Sequence, residues 1–241
     1  MTTRGGSVAE PDATTEGTVT EEGIETLYRN PLACESDLAG FRAEGPVTLS
    51  FPQRRMRVES TVLSDDSTQG NFVLWCPEEF GPDVEYSWDF WPIREPGLCI
   101  VFFAARGRGG VDLFDATLTP RDGDYPQYHS GDIDAYHLSY FRRRIDPRLH
   151  TCNLRKSHGF HLVASAPDPI PPVATAVAPY RIRIRHAGGD VAMFVDDLPV
   201  LTWHDDGSTG GPALGRGRFG FRQMSPMIAE YANLEVRSLA A

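Results

Sequence analysis

The residues best suited to do chemistry are concentrated in one polar stretch, YPQYHSGDIDAYHLSYFRRR, at positions 125–144. It contains four tyrosines, two histidines, two aspartates and three arginines, and five of the seven histidines of the chain lie between positions 129 and 161. Tyrosine and histidine exchange protons, arginine binds carboxylates through two parallel hydrogen bonds, and tyrosine also stacks on sugar rings. A site for a carboxylate-bearing sugar needs this combination.

The stretch has the alternation of a β-strand over residues 134–143, in which successive side chains point to opposite faces. One face would carry Asp134, Tyr136, Leu138, Tyr140 and Arg142, and the other Ala135, His137, Ser139, Phe141 and Arg143. Since one face of a central strand enters the core, some of these polar groups must form a buried network or line a groove. We expect a groove on the face with the two tyrosines, with His129 entering it from the preceding loop.

These residue types favour β-elimination of a uronate, in which the carboxylate is neutralised, the C5 proton is removed and the leaving oxygen is protonated. The catalytic candidates are Tyr136, Tyr140, His129 and His137. The substrate-binding candidates are Gln127, Tyr128, Arg142, Asn153, Arg155, Lys156, Arg222 and Trp88. For each residue a structural role is the alternative, since tyrosine and arginine are common on exposed strands and His137 is also compatible with a hydrogen-bonded core position.

A second possibility is a glycoside hydrolase, which requires two carboxylates about 5 to 10 Å apart. The segment DVEYSWDF offers Asp83, Glu85 and Asp89, of which the last two would share a strand face. An exposed acidic face is the simpler interpretation. No metal site is predicted, because the D-x-D at 132–134 has no adequate partner set and the HDD at 204–206 sits in a turn where aspartate is ordinary, although a structural Ca²⁺ stays open.

The elements that must position these residues are short strands. From Val47 onward about twelve strand-like segments alternate with Gly, Pro, Asp and Asn clusters, and no long amphipathic helix occurs. This pattern is typical of an all-β antiparallel sandwich. We expect a flexible acidic tail over 1–25 and one sandwich domain over 26–241. GRGRFG at 215–220 matches a dinucleotide fingerprint, but a strand pattern follows it where a helix is required.

Composition limits the partners. The net charge is −10, and the folded part is mildly acidic, which argues against nucleic acid. The longest apolar run, LCIVFFAA, is too short to span a membrane. The N-terminal residues lack the apolar core of a secretory signal, and four cysteines without a CxxC pair favour free thiols. We therefore expect a cytoplasmic protein without a membrane partner, and homo-oligomers remain possible partners.

Several blocks carry a family resemblance. They are GNFVLWCPEEFGPDVEYSWDFWP, GLCIVFFAARG, YPQYHSGDIDAYHLSYFRRR, TCNLRKSHGFHL and GRFGFRQMSPMIAEYANLEV. Over about residues 70–237 they resemble the YesU-like domain-of-unknown-function family of bacterial proteins. The resemblance implies a concanavalin A-like lectin/glucanase jelly roll and a link to bacterial use of pectin or rhamnogalacturonan-type polysaccharides. It supplies no catalytic residue. A non-catalytic carbohydrate-binding protein, or an interaction sandwich whose polar face is merely solvated, therefore remains an alternative to a lyase or glycosidase.

Overall fold

The computed structural model describes residues 25–62, 69–143 and 150–240. Nearly all of the expected acidic tail therefore lies outside the described residues. Fifteen strands occur in the described ranges, with one four-residue α-helix and short 3-10 turns. None of the described helices is long or apolar enough to cross a membrane. The expected all-β antiparallel sandwich is confirmed.

The fifteen described strands are numbered in chain order. They are β1 (Thr26–Asn30), β2 (Arg42–Glu44), β3 (Val47–Ser50), β4 (Met56–Ser60), β5 (Phe72–Phe80), β6 (Val84–Arg94), β7 (Gly97–Gly107), β8 (Ile133–Arg143), β9 (Thr151–Ser157), β10 (His161–Pro167), β11 (Tyr180–Ala187), β12 (Asp190–Val195), β13 (Leu198–His204), β14 (Gly217–Gln223) and β15 (Ile228–Ser238). The helix α1 spans Pro126–His129, and the 3-10 turns span Glu35–Leu38, Pro52–Arg54 and Val173–Thr175.

Two sheets are stacked face to face. The eight-stranded sheet has the order β13-β12-β11-β6-β15-β4-β3, and β1 also pairs with β15. The seven-stranded sheet has the order β10-β9-β8-β7-β14-β5-β2. The polar strand β8 pairs antiparallel with β9, the next strand along the chain. Residues 144–149 between them lie outside the described ranges.

The core lies between the sheets and contains every second residue of the central strands. On β6 the buried aromatic side chains are Tyr86, Trp88 and Phe90, and they pack against Phe219 and Tyr140 from the facing sheet. Removing such large side chains from water is the main source of stability, at about 1.5 to 3 kcal/mol for each fully buried one. The alternation read from the sequence of β6 therefore describes the observed faces.

The outer face of the seven-stranded sheet carries a second, smaller apolar cluster. Its members alternate along each strand with residues of the main core, as Val73 and Trp75 do on β5. The segment 108–132 between β7 and β8 covers this cluster, and its Leu113 and Tyr128 are fully buried there. Only the part of the outer face beyond this covering segment is open.

Glu44 fastens the covering segment to the sheet. Its carboxylate accepts hydrogen bonds from Trp75 Nε1 at 2.9 Å and from the Tyr128 hydroxyl at 2.9 Å. Arg121 donates to the same carboxylate at 2.8 Å, and both side chains are 5% exposed. The charge of Glu44 is thus paired and fully hydrogen-bonded, as burial of a carboxylate requires. This network holds the covering segment in place at the edge of the open part of the sheet.

Glycines in β14 allow close packing beneath this cluster. A Cβ at Gly220 would lie 2.4 Å from Cε3 of Trp75, and one at Gly217 would lie 2.2 Å from the backbone carbon of Ala104. Both glycines lie in a strand, so the glycine spacing that resembles a dinucleotide fingerprint reflects strand packing.

Candidate functional site

A groove of about 240 Å³ opens on the uncovered part of the seven-stranded sheet. Its floor is formed by β7, β8 and β9, and the covering segment and the β9–β10 turn form its walls. It is lined by Leu98, Ile100, Tyr125, His137, Ser139, Arg142, Asn153, Arg155, Phe160 and Met224. Among the described residues that line it there is no aspartate or glutamate. The groove is therefore suited to an anionic ligand.

The pairing of β8 with β9 sets the polar floor. His137 lies opposite Arg155, and Ser139 lies opposite Asn153. Directly opposed residues of an antiparallel pair share a face and lie about 4.5 to 5.5 Å apart at Cβ. The register alone therefore brings an imidazole, a hydroxyl, an amide and a guanidinium into one patch.

Two arginines and an asparagine supply hydrogen-bond donors in this patch. The Arg155 guanidinium stacks over the Phe160 ring at 3.9 Å and donates to the Phe160 carbonyl oxygen at 3.2 Å. With its amide oriented to satisfy its neighbours, Asn153 donates to Ser165 Oγ at 2.7 Å and accepts from Arg142 Nη1 at 3.1 Å. The guanidiniums are thus held in place, which lowers the entropy cost of binding a carboxylate.

A tyrosine and a histidine form a hydrogen-bonded chain at the groove wall. The Tyr125 hydroxyl lies 3.1 Å from His137 Nδ1, and His137 Nε2 is hydrogen-bonded to Ser157 Oγ. His137 is 1% exposed, and its burial lowers the pKa of the imidazole well below the ordinary value. The ring is therefore neutral near pH 7, so one nitrogen accepts a hydrogen bond and the other donates.

Arg222 lies beside this chain. It pairs with Ile100 across the sheet, so its side chain is on the groove face, and its guanidinium carbon lies 4.3 Å from the centre of the Tyr125 ring. The residue is 1% exposed, and none of its three guanidinium nitrogens makes a hydrogen bond within the described part of the chain. Its guanidinium instead lies against the face of an aromatic ring, which attracts a cation.

The two tyrosines expected in the groove lie in the core. Tyr136 and Tyr140 are 0% exposed and point between the sheets, where the Tyr140 hydroxyl accepts from Trp88 Nε1 at 3.2 Å. The Tyr136 hydroxyl donates to Asp205 Oδ2 at 2.5 Å. The groove is therefore on the opposite face of β8 from the one favoured by the sequence, because burying two aromatic rings outweighs burying a histidine and a serine. Trp88 likewise packs in the core and forms no sugar platform.

A bulge at Phe141 explains how Arg142 reaches the groove. Strict alternation places Arg142 with Tyr136 and Tyr140. Phe141 instead has a φ of 45°, the register with β7 shifts there, and both Tyr140 and Phe141 pack in the core. The extra inward residue reverses the alternation, so Arg142 lines the same groove as His137.

Three of the expected binding residues make contacts that stabilise the fold. Lys156 is fully buried and forms an ion pair with Asp205, with Nζ 2.7 Å from Oδ2. Tyr128 is buried against Glu44, and Gln127 accepts from the Asp122 backbone N–H at 2.9 Å. None of these three side chains lines the groove.

His129 is adjacent to the groove without lining it. Its ring packs against Phe160 at 4.2 Å and Tyr125 at 4.8 Å between ring centres. Its Nδ1 lies 2.7 Å from Ser130 Oγ, and burial lowers the pKa of the imidazole. Of the twelve residues expected in the site, the structure places four, His137, Arg142, Asn153 and Arg155, in the lining, with Arg222 and His129 next to it.

The carboxylates considered for a hydrolase lie on the outer face of the other sheet. Glu85 accepts from Arg185 Nε at 2.6 Å, and Asp89 accepts from Arg181 Nη1 at 3.1 Å. Asp83 accepts from the Gly188 backbone N–H. Glu85 and Asp89 are thus paired with arginines of β11. No group of three or more His, Cys, Asp or Glu side chains within residues 25–62, 69–143 and 150–240 could hold a metal ion.

Three polar or aromatic lining residues were missed as site residues in the sequence. Tyr125 begins the polar stretch, Ser139 alternates with His137, and Phe160 ends the segment SHGF with a positive φ of 58°. The alternation of His137 and Ser139 was the available signal, since it marks the second face of the strand. The apolar floor residues Leu98, Ile100 and Met224 carry no signal that separates them from core residues.

Comparison with known proteins gives one family. The chain is 49% identical over 212 residues to the uncharacterized protein YesU of Bacillus subtilis (strain 168), covering 87% of this chain and 94% of that protein. A crystal structure of a Bacillus subtilis protein with a galectin-like fold matches with a TM-score of 0.84 and 47% identity, over 90% of this chain and 98% of that one. The carbohydrate-binding module CBM66 from Bacillus subtilis matches with a TM-score of 0.51 and 15% identity, over 81% and 93%. Residues 25–236 match the family described as domain of unknown function (DUF1961), and the chain belongs to that family.

Proposed function

We propose that the groove binds a uronate-containing oligosaccharide through its carboxylate and cleaves it by β-elimination. The observation that carries this proposal is the lining itself, in which Arg142, Arg155 and Asn153 converge and no described carboxylate takes part. Hydrogen bonds between a guanidinium and a carboxylate are roughly twice as strong as neutral ones. A neutral sugar gives these groups no charge to pair with.

The size and walls of the groove support a sugar as the ligand. A cavity of about 240 Å³ is smaller than the roughly 300 to 1,000 Å³ of sites for drug-sized ligands, which fits one sugar unit of a longer chain. Tyr125 and Phe160 provide ring surfaces, and Ser139 and Asn153 provide hydrogen-bonding groups for hydroxyls. The fold likeness to a carbohydrate-binding module agrees with this ligand class.

The chemistry of the lining favours elimination over hydrolysis. Hydrolysis by the usual route needs two carboxylates beside the glycosidic bond, and the described lining offers none. Elimination needs a neutralised carboxylate, which makes the C5 proton acidic, and a group that moves protons. Arg142 and Arg155 supply the first, and Tyr125 with His137 supplies the second.

The test combines binding and product formation. Pectin-derived and other uronate oligosaccharides are titrated into the protein by calorimetry, and the ultraviolet absorbance of the unsaturated product is followed. We expect binding that Arg155→Gln weakens by about tenfold or more, as for a lost hydrogen bond to a charged group. Arg185→Gln, on the other sheet, is the matched control and leaves binding unchanged.

Each outcome decides the proposal. Equal affinity for the free acid and its methyl ester refutes recognition through the carboxylate. Binding without an unsaturated product from any of these uronates, galacturonate-, glucuronate- and mannuronate-containing ones alike, refutes elimination and assigns the groove to recognition alone.

A further inference from the structure

We propose that Tyr125 is the single group that exchanges protons with the substrate, so the groove eliminates only uronates whose C4–O and C5–H bonds lie on the same face of the sugar ring. This inference rests on the proposed function and narrows its substrate class. It is carried by the arrangement of Tyr125, His137, Ser157 and Arg222.

Among the described lining residues, Tyr125 is the one side chain that can both contact the sugar and exchange a proton with it. His137 is 1% exposed, and both of its ring nitrogens are occupied by Tyr125 and Ser157. The Ser139 hydroxyl accepts from Asn153 N at 3.2 Å and donates to Asn153 O at 3.4 Å, and a serine hydroxyl does not titrate near neutral pH. Tyr125 is only partly buried and lines the cavity.

Its ring is held in a fixed position. The rings of His129 and Phe160 pack edge-on against it at 4.8 and 5.5 Å between centres, and Arg222 lies against the ring at 4.3 Å. Fixing a reacting group before the substrate arrives removes an entropy cost from the transition state. The hydroxyl is therefore aimed by packing as well as by its hydrogen bond.

His137 orients the Tyr125 hydroxyl. In one tautomer Nε2–H donates to Ser157 and Nδ1 accepts from the Tyr125 hydroxyl, and in the other Nδ1–H donates to the tyrosine oxygen when that oxygen is deprotonated. Burial keeps this imidazole neutral in both cases, so it positions the tyrosine without taking up a second proton.

Arg222 favours negative charge on Tyr125. Burial raises the pKa of Tyr125, and the guanidinium of Arg222 is the foremost of three nearby arginines that lower it. A buried charge without a hydrogen bond is costly. That cost is offset when a negative charge develops beside it, as it does on the deprotonated Tyr125 oxygen.

The proton transfers balance around one hydroxyl. The deprotonated Tyr125 oxygen takes the proton from C5, while the C5–H electron pair forms the C4–C5 double bond. The C4–O bond breaks, and the leaving oxygen takes that same proton from Tyr125, which returns to its deprotonated form. The C5 hydrogen has moved in effect to the leaving oxygen, and the protein is unchanged.

A single hydroxyl reaches only one face of the ring. D-glucuronate and D-mannuronate carry the C4 oxygen and C5 hydrogen on the same face, whereas D-galacturonate carries them on opposite faces. Elimination of galacturonate would need a second proton-exchanging group across the ring, and the described lining has none. The substrate class is therefore 1,4-linked oligosaccharides with glucuronate- or mannuronate-type units.

The test uses 1,4-linked oligomannuronate and oligogalacturonate with the full chain and two variants. Tyr125→Phe keeps the ring and removes the hydroxyl, and Tyr180→Phe is the control on the other sheet. Wild type and Tyr180→Phe should form unsaturated product from oligomannuronate and none from oligogalacturonate. Tyr125→Phe should lose about 10²- to 10⁴-fold in kcat, as for a lost acid–base group, with calorimetric affinity nearly unchanged.

The outcomes distinguish failure of this inference from failure of the proposed function. If no uronate binds, the proposed function is refuted and the inference falls with it. If product forms and Tyr125→Phe retains full kcat, the inference alone is overturned. Product from oligogalacturonate at a comparable rate overturns the same-face restriction, and binding without any product overturns elimination and the role of Tyr125 together.

Discussion

Replacing Lys156 by methionine should destabilise the fold and leave sugar affinity unchanged. Lys156 Nζ lies 2.7 Å from Asp205 Oδ2 and donates to the Gly211 carbonyl oxygen at 2.6 Å, and the side chains of both charged residues are 0% exposed. Asp205 also accepts the Tyr136 hydroxyl at 2.5 Å. This cluster ties β9 to the loop before β14, on the core side of the sheet.

The magnitude follows from complete burial. Removing one partner of a buried ion pair costs about 3 to 5 kcal/mol, since the other charged group is left buried without its partner. A domain of this size loses about 2 to 4 °C of Tm for each kcal/mol. Lys156→Met should therefore lower Tm by roughly 6 to 20 °C.

Urea unfolding followed by tryptophan fluorescence measures the effect, with a double-mutant cycle to isolate the pair. The double variant Lys156→Met with Asp205→Asn removes both charges of this buried pair and should recover at least part of the lost stability. If Lys156→Met is as stable as wild type but binds uronates poorly, this account is refuted and Lys156 belongs to the binding site.

The remaining predictions concern the core, pH and the acidic strand. Tyr140→Phe leaves the buried Trp88 indole N–H unpaired and should cost about 1 to 3 kcal/mol in urea unfolding with unchanged sugar affinity; a lost affinity at full stability contradicts its core role. Because burial lowers the pKa of His137, the unfolded chain alone takes up this proton below pH ~6.5, so stability should fall by about 1.4 kcal/mol per pH unit there. His137→Asn should remove that part of the slope, and an unchanged slope contradicts a neutral buried imidazole. Glu85→Gln and Asp89→Asn should leave product formation unchanged, and its abolition in a folded variant would revive the paired-carboxylate hydrolase.

The fold was predictable because its determinants are local. Alternation over β6 and β11, glycine-rich turns such as Gly188 and Gly189, and short strand lengths all repeat along the chain. These features persist whatever the strands pair with. The antiparallel sandwich follows from them.

Which face of β8 carries the site was not predictable, because both faces are polar and the choice depends on which one the fold buries in the core. Tyr136 and Tyr140 bury their hydroxyls only because Asp205 and Trp88 supply hydrogen-bond partners from elsewhere in the fold. Sequence alternation shows no such long-range partner. The bulge at Phe141 adds a second difficulty, since a positive φ at a bulky residue is uncommon and carries no sequence signal.

The role of the covering segment was likewise not predictable from the sequence. Residues 108–132 contain ordinary loop residues, and only the buried Glu44 network makes them the wall of a groove. Tyr125 lines the site because this wall places it there. Residues presented by an ordered loop are therefore the ones that strand periodicity misses.

The most direct test of the central claim is a calorimetric titration with one uronate oligosaccharide as the free acid and as its methyl ester. The account predicts that the free acid binds, that the ester binds at least about tenfold more weakly, and that Arg155→Gln removes most of this difference. Equal binding of both forms, or a preference for the ester, would contradict recognition of a carboxylate by the arginines of the groove.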